Sequence, residues 1–298
     1  MKQIRQAFTI AGYNFRLWRR NPRIIVTFAL AFVMCFLLSD KIITFAIDHN
    51  TTMQIVETFI WSFGDSNSIL VSSVLLVLLF ADMPFLSSGT PLYLVRTSRR
   101  AWILGQVIYT VAATILYLLF VLVCTAVLAM QISFPANMWS STAAILGYSS
   151  AGDRESIPVH LKTLELSRPY ETMFSIFLLM LGYSLVLVLI MLVANLRHGQ
   201  AAGVVSVFLF SFYGILMKPD TIQLIFNLPP EAFYIANVTI GWLSPLNQAT
   251  YPMHDFGYDK LPELWHSYMI FFLLIVLGCI GALWAAKKYN FCFTGTEG

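Results

Sequence analysis

Charge is scarce in this chain. Of its 298 residues 58 % are hydrophobic and only 11 % are charged, where a soluble domain carries about 25 % charged residues. A soluble core cannot absorb so much apolar side chain, and the composition is that of an integral membrane protein with several spanning helices. Cysteine is sparse too. Cys35, Cys124 and Cys279 lie inside apolar runs and Cys292 near the C-terminus, with no CxxC pair and no Cys/His ligand spacing. Neither a disulfide framework nor a zinc site is expected. Acid is missing from residues 1–23, which hold Lys2, Arg5, Arg16, Arg19, Arg20 and Arg23. Also missing are a G-x-x-x-x-G-K-[ST] phosphate loop, an H-E-x-x-H zinc motif and a G-x-S-x-G nucleophile elbow. The chain is therefore not expected to hydrolyse ATP or to act as an enzyme, and no catalytic or metal-ligating residue is assigned.

What is present is long apolar runs separated by short polar ones. The expected fold class is an all-α integral membrane protein with six transmembrane helices, an N-terminal amphipathic interfacial helix and both termini cytoplasmic. The whole chain, 1–298, reads as one transmembrane domain. Within residues 1–23, Ile4, Phe8, Ala11, Phe15 and Trp18 recur at steps of four and three, which puts them on one helical face, with arginines opposite. The spans fall at about 24–47, 69–86, 101–130, 173–196, 200–217 and 266–286. The first apolar run begins only after residue 23 and lacks a small-residue cleavage site, so it reads as a retained span. The connection 131–171 has room for a helix or two. The connection 218–265 holds two apolar segments, Ile222–Leu228 and Phe233–Leu243, too short to span, which are expected to rest on or dip into the outer leaflet. Segments assigned to the inside carry most of the 18 basic residues and a single acid, Glu297, which sets the orientation.

The most informative stretch is 82–106, DMPFLSSGTPLYLVRTSRRAWILGQ, a short loop between two apolar runs. Two readings of Arg96, Arg99 and Arg100 stand: a topology signal, or, together with the apolar residues around them and Trp102, a docking element for a cytosolic partner. Asp82 is the one clear intramembrane acid. It is a functional candidate because buried charge is costly, or it serves only to end the second helix. Gly199 and Gly203 form G-x-x-x-G, a spacing that lets helices or subunits approach closely. His254-Asp255 reads as part of a structural loop, and the histidines in general as solvated.

Three groups of residues together resemble a permease subunit of an ATP-binding-cassette exporter of the type-2 class. The first is Phe8 to Arg20 and the following Asn-Pro-Arg, ending RLWRRNPR before the first span, where family members have a connecting helix. The second is Asp82-Met-Pro-Phe through LVRTSRRAWILGQ, similar to the family's acid, Arg-x-Ser-Arg, aromatic and Leu-Gly-Lys/Gln. The third is Ser244-Pro245-Leu246-Asn247, His254-Asp255 and Leu261-Pro262-x-Leu264-Trp265-x-Ser267 before the last span and a Lys-Lys tail. Gln106 stands where lysine is commoner, and the large external domain of some relatives is absent.

The resemblance implies a mechanism. Two permease subunits, identical or homologous, pair in the lipid bilayer, and each docks a separate cytosolic ATPase subunit that holds ATP and Mg. The connecting helix and the 91–102 loop relay ATPase motion, with Arg16, Arg19, Arg20, Arg96, Arg99, Arg100 and Trp102 at the contact. This chain would bind no cofactor and no nucleic acid, and the expected location is a bacterial plasma membrane. Two other classes compete: an ion-coupled secondary transporter centred on Asp82, and a non-transport immunity or sensor protein.

Overall fold

A computed structural model describes residues 2–84, 97–149, 151–227, 229, 233–257 and 259–289, with only the backbone described for Lys2, Arg20 and Asp153. Among the described residues about 81 % are helical. The described helices are α1 (Lys2–Leu17), α2 (Pro22–Asp48), α3 (Glu57–Phe63), α4 (Ser66–Phe80), α5 (Arg99–Leu128), α6 (Ser141–Tyr148), α7 (Ala151–Glu155), α8 (Leu161–Leu166), α9 (Pro169–His198), α10 (Gln200–Leu216), α11 (Pro219–Phe226), α12 (Phe233–Leu243), α13 (Pro245–Ala249) and α14 (Leu264–Lys287). Among the described residues the one sheet is a parallel pair of two-residue strands, Met53–Gln54 with Ser133–Phe134.

Four helices, α2, α5, α9 and α14, are each long and apolar enough to cross a membrane. Two bent pairs pass the same test jointly: α3 with α4, bent by 89°, and α10 with α11, bent by 79°. The helix starts are written in the sequence. Asn21 caps α2 by accepting from the Arg23 N–H at 3.1 Å, with Pro22 at the first helical position. Asp65 caps α4 through the Asn67 N–H at 3.0 Å, and Ser98 caps α5 through the Ala101 N–H at 3.2 Å. Gly199 joins α9 to α10 with φ +89°, a left-handed conformation that favours glycine.

Side-chain pairs fix the directions. Phe80 meets Tyr109 and Ser72 meets Tyr117, so α4 and α5 run antiparallel. Phe28 meets Tyr117 and Cys35 Sγ meets the Val121 carbonyl, which sets α2 parallel to α5. Ser73 bonds Ser184 at 3.2 Å and Asn195 Nδ2 donates to the Met83 carbonyl at 2.6 Å, so α4 runs with α9. Gly182 lies against Phe271, and Gly278 against Leu189, so α14 also runs with α9. Helix α9 is the hub: 72 % of its apolar window is buried within the chain, against 22–33 % for the other three long helices. Their outer faces remain apolar and exposed, as on α14 (Phe272, Leu273, Leu277) and α2 (Val33, Phe36, Leu37). That is the pattern of helices solvated by lipid.

Several expectations need correction. The second helix stops at Phe80, not near residue 86. Pro84 restricts Met83 away from helical geometry, so Asp82 lies in a turn beyond the helix instead of inside it. The face of α1 that packs is Ala7, Ile10, Ala11 and Asn14; of the expected stripe, Ile4 and Phe8 are exposed. Steps of three and four cannot distinguish a face turned to protein from a neighbouring one turned to lipid. The 131–171 connection carries three short helices, α6 to α8. The two short apolar segments become α11 and α12, packed on each other through Ile222, Ala236 and Ile240.

Candidate coupling surface at the basic end

One end of the bundle gathers the N-terminal helix, the start of α5, the end of α9 and the end of α14. Helix α1 is strapped to α5. Gly105 permits it: a Cβ there would lie 2.8 Å from Ile10 Cβ and 2.9 Å from the Ala7 carbonyl oxygen. Asn14 Nδ2 then donates to Gln106 Oε1 at 3.0 Å, with both residues buried. The Trp18 indole N–H donates to the Tyr109 hydroxyl at 2.8 Å, and Phe15 packs edge-on to the same ring. An amide pair and an indole–phenol pair, shielded from water, hold the helices in one register. Sequence reading noted Gln106 only as an unusual substitution and missed its partner. The available signal was Asn14, a polar residue on the inner side of an otherwise apolar helix face.

Arginines ring this unit. Arg16 and Arg19 are exposed on α1 and the short 3₁₀ turn after it, and Arg20 lies in that turn. Arg99 and Arg100 are exposed at the first turn of α5. Arg99 Nη1 donates to the Lys287 carbonyl at 2.7 Å, satisfying one of the open acceptors at the end of α14. The Arg197 guanidinium stacks 3.8 Å above the Trp284 ring. Asp82 forms an ion pair with Arg23, both partly exposed. A cavity of about 560 Å³ opens between Asp82, Asn195, Arg197, Gln200 and Lys288.

Trp102 departs from its expected role. It is fully buried and stacks on Tyr289 with ring centroids 5.9 Å apart, so direct contact with a partner is not open to it. On the helix that Ser98 caps, Trp102 faces inward and Arg99 and Arg100 face outward. Arg96 and the first half of the 91–102 loop, residues 91–96, lie outside the described residues. The two glycines separate in role. Gly203 lets α10 pack on α9, where a Cβ would collide with Asn195 Oδ1 at 1.7 Å, while Gly199 is the turn itself and has nothing within 4 Å. As a geometric unit the G-x-x-x-G spacing is therefore not one packing face.

The opposite end holds buried ionisable groups beside its exposed ones. Glu57, the first residue of α3, lies ahead of the apolar helix α4 and bonds to the 131–171 connection. It accepts from Ser140 N–H at 2.7 Å and Ser140 Oγ at 2.6 Å, and burial pushes its carboxyl up to about 7. His254 is fully buried. Its Nδ1 faces the Thr250 and Tyr251 carbonyls, both at 3.1 Å, and so carries the proton, while Nε2 accepts from Ser267 Oγ at 2.8 Å. Burial lowers it to about 4, which keeps it neutral. It is a pin between the loop and α14, not a solvated histidine. Asp255 binds its own loop, accepting from the Gly257 and Asp259 N–H groups.

Comparison with protein-family models, with curated proteins and with solved structures gave no match to this chain. The helices stand on their own evidence. This is a multi-pass membrane protein. Among the described residues no cluster of His, Cys, Asp and Glu could hold a metal ion.

Proposed function

We propose that this chain is the membrane-spanning subunit of an ATP-driven exporter, coupled to a separate cytosolic ATPase subunit through α1 and the start of α5. In this reading α2, α4, α5, α9, α10 and α14 are six spans, α3 and α11 lie across their ends, and the basic end with both termini faces the cytoplasm of a bacterial cell. The observation that carries it is the strap. Arg16 and Arg19 on α1, and Arg99 and Arg100 on α5, project from two helices fastened by Gly105, Asn14–Gln106 and Trp18–Tyr109. A partner gripping these arginines would move α5 directly, because α1 cannot slide on it without breaking buried hydrogen bonds. The charge distribution supports the orientation, and the motif resemblance supports the partner's class.

An ion-coupled carrier centred on Asp82 is less favoured. Asp82 sits beyond α4, partly exposed and neutralised by Arg23, and not within the apolar zone where a coupling carboxylate would titrate.

The test is co-purification in mild detergent. The tagged chain should bring down a subunit bearing a Walker lysine, with ATPase activity lost when that lysine is changed. Replacing Arg99 and Arg100 with Ala should leave insertion intact but uncouple ATP hydrolysis from transport by tenfold or more, on the order of the charge-assisted bonds removed. A chain that purifies alone from nanodiscs, without ATPase and with its neighbouring genes co-expressed, would overturn the reading.

A further inference from the structure

A second cavity, of about 360 Å³, opens at the other end of the bundle, where the exposed apolar stretch of α2 gives way to charge. Ile25, Val26, Leu30, Val33, Phe36 and Leu37 are exposed along that helix, and Asp40 and Lys41 follow. The cavity lies in the knee between α3 and α4. Leu37 and Lys41 form one wall, Trp61 and Asp65 the other, and Ser156 closes it from the segment after α7.

Three of these residues are arranged for a ligand that carries both signs of charge. Lys41 presents an ammonium that no carboxylate answers: among the described residues the salt bridges are Arg23–Asp82 and Lys162–Asp259. Trp61 is 2 % exposed, yet its indole N–H has no hydrogen-bond partner among the described residues. The indole N–H groups of Trp18, Trp139 and Trp242 each donate to a protein oxygen. An unmet buried donor is costly, and no described residue supplies the acceptor it lacks. Asp65 uses Oδ2 to cap α4 and retains acceptor capacity on its carboxylate. Ser156 is held at φ +55°, a left-handed backbone that a non-glycine residue adopts only when its surroundings impose it.

We propose that this cavity binds the headgroup of an amine-bearing phospholipid. Lys41 and the Trp61 N–H hold the phosphate, Asp65 holds the ammonium, and the acyl chains lie along Leu37 and Val33 of α2. A lipid is the occupant because the polar groups sit at the end of an exposed apolar helix face, at the depth where headgroups meet hydrocarbon. The inference does not rest on the exporter reading.

The experiment uses the full chain in detergent–lipid micelles containing equal phosphatidylethanolamine and phosphatidylglycerol, with retained lipid identified by native mass spectrometry. Phosphatidylethanolamine should be retained preferentially. Lys41→Gln and Trp61→Phe should each weaken that retention about tenfold, the scale of one lost charge-assisted hydrogen bond. Asp65→Asn, which keeps the helix cap, should abolish the preference between the two lipids. Asp40→Asn, a neighbouring exposed acid, should change nothing. Circular dichroism of each variant checks folding, and Lys41 is exposed, so its variant tests the idea even if Trp61→Phe folds poorly. Equal retention of the two lipids, or indifference to Lys41→Gln, overturns the proposal. Competition by phosphoethanolamine as strong as by the lipid would assign the cavity to a free zwitterion and overturn the lipid occupant.

Discussion

At the basic end, Arg16, Arg19, Arg99 and Arg100 hold their charges at the surface. At the opposite end, Glu57 and His254 are buried among neutral hydrogen-bonding partners. The sequence draws attention to the first end, because clustered arginines are conspicuous; at the second it offers His254-Asp255 as a structural loop and does not single out Glu57, though single residues there carry the electrostatic stress. The number of charges in a segment and the energetic weight of those charges are different quantities. An exposed guanidinium near water contributes little to stability and is available to a partner. A buried carboxyl contributes in proportion to its displaced titration and is available to no one.

The sharpest way to break this comparison is to titrate it. Glu57 is raised from 4.5 to about 7, so its contribution to stability is full below pH 4.5 and is lost as pH rises through 7. His254 is lowered from 6.5 to about 4, so its contribution is present above pH 6.5 and is lost as pH falls towards 4. Between pH 4.5 and 6.5 the two slopes oppose each other. In Glu57→Gln only the histidine slope remains. That variant should lose roughly 3 kcal/mol between pH 6.5 and 4, at about 1.4 kcal/mol per unit of displacement, where the parent changes little from these two groups. Thermal unfolding in detergent across that range is the measurement, and parallel curves for the two proteins would show that Glu57 ionises normally.

A smaller effect is expected from Gly105→Leu. The added side chain would drive α1 off α5, costing about 1–3 kcal/mol as overpacking does. The expected sign is faster proteolysis within residues 1–20 of membrane-embedded protein. Unchanged protection would mean that α1 holds to the membrane rather than to α5. Smallest of all is the Arg23–Asp82 pair, partly exposed at both partners. A double-mutant cycle with Arg23→Ala and Asp82→Ala should give a coupling of about 1 kcal/mol or less, weakened by salt. A coupling of several kcal/mol would make this pair resemble the buried groups of the other end.

Local chemistry made much of the fold legible. Asn21-Pro22, Ser98 and Gly199 mark helix ends through backbone hydrogen bonding that a sequence displays directly. The apolar runs of α5, α9 and α14 exceed what any alternative fold could bury. What stayed hidden depends on what lies across from a residue. Phe8 and Ala7 are neighbours in sequence, but only α5 decides which of them is covered. Trp102 looks like an anchor because it follows arginines; its packing on Tyr289 holds it inward. Asn14 and Gln106, or Glu57 and Ser140, are far apart in the chain, and nothing local announces that each completes the other.

The helices also differ in reach. Helices α5 and α9, of 30 residues each, extend about 45 Å, whereas α4 with 15 and α10 with 17 extend only about 22–25 Å. A hydrocarbon core is about 30 Å thick, which the long helices exceed and the short ones beside α9 do not reach. The right-angled knees follow from this shortfall: α3 and α11 turn aside where the short helices run out, and Leu224, Ile225 and Phe226 of α11 offer apolar cover at the shallow edge. Helices of such unequal reach make the fit of the bundle sensitive to bilayer thickness.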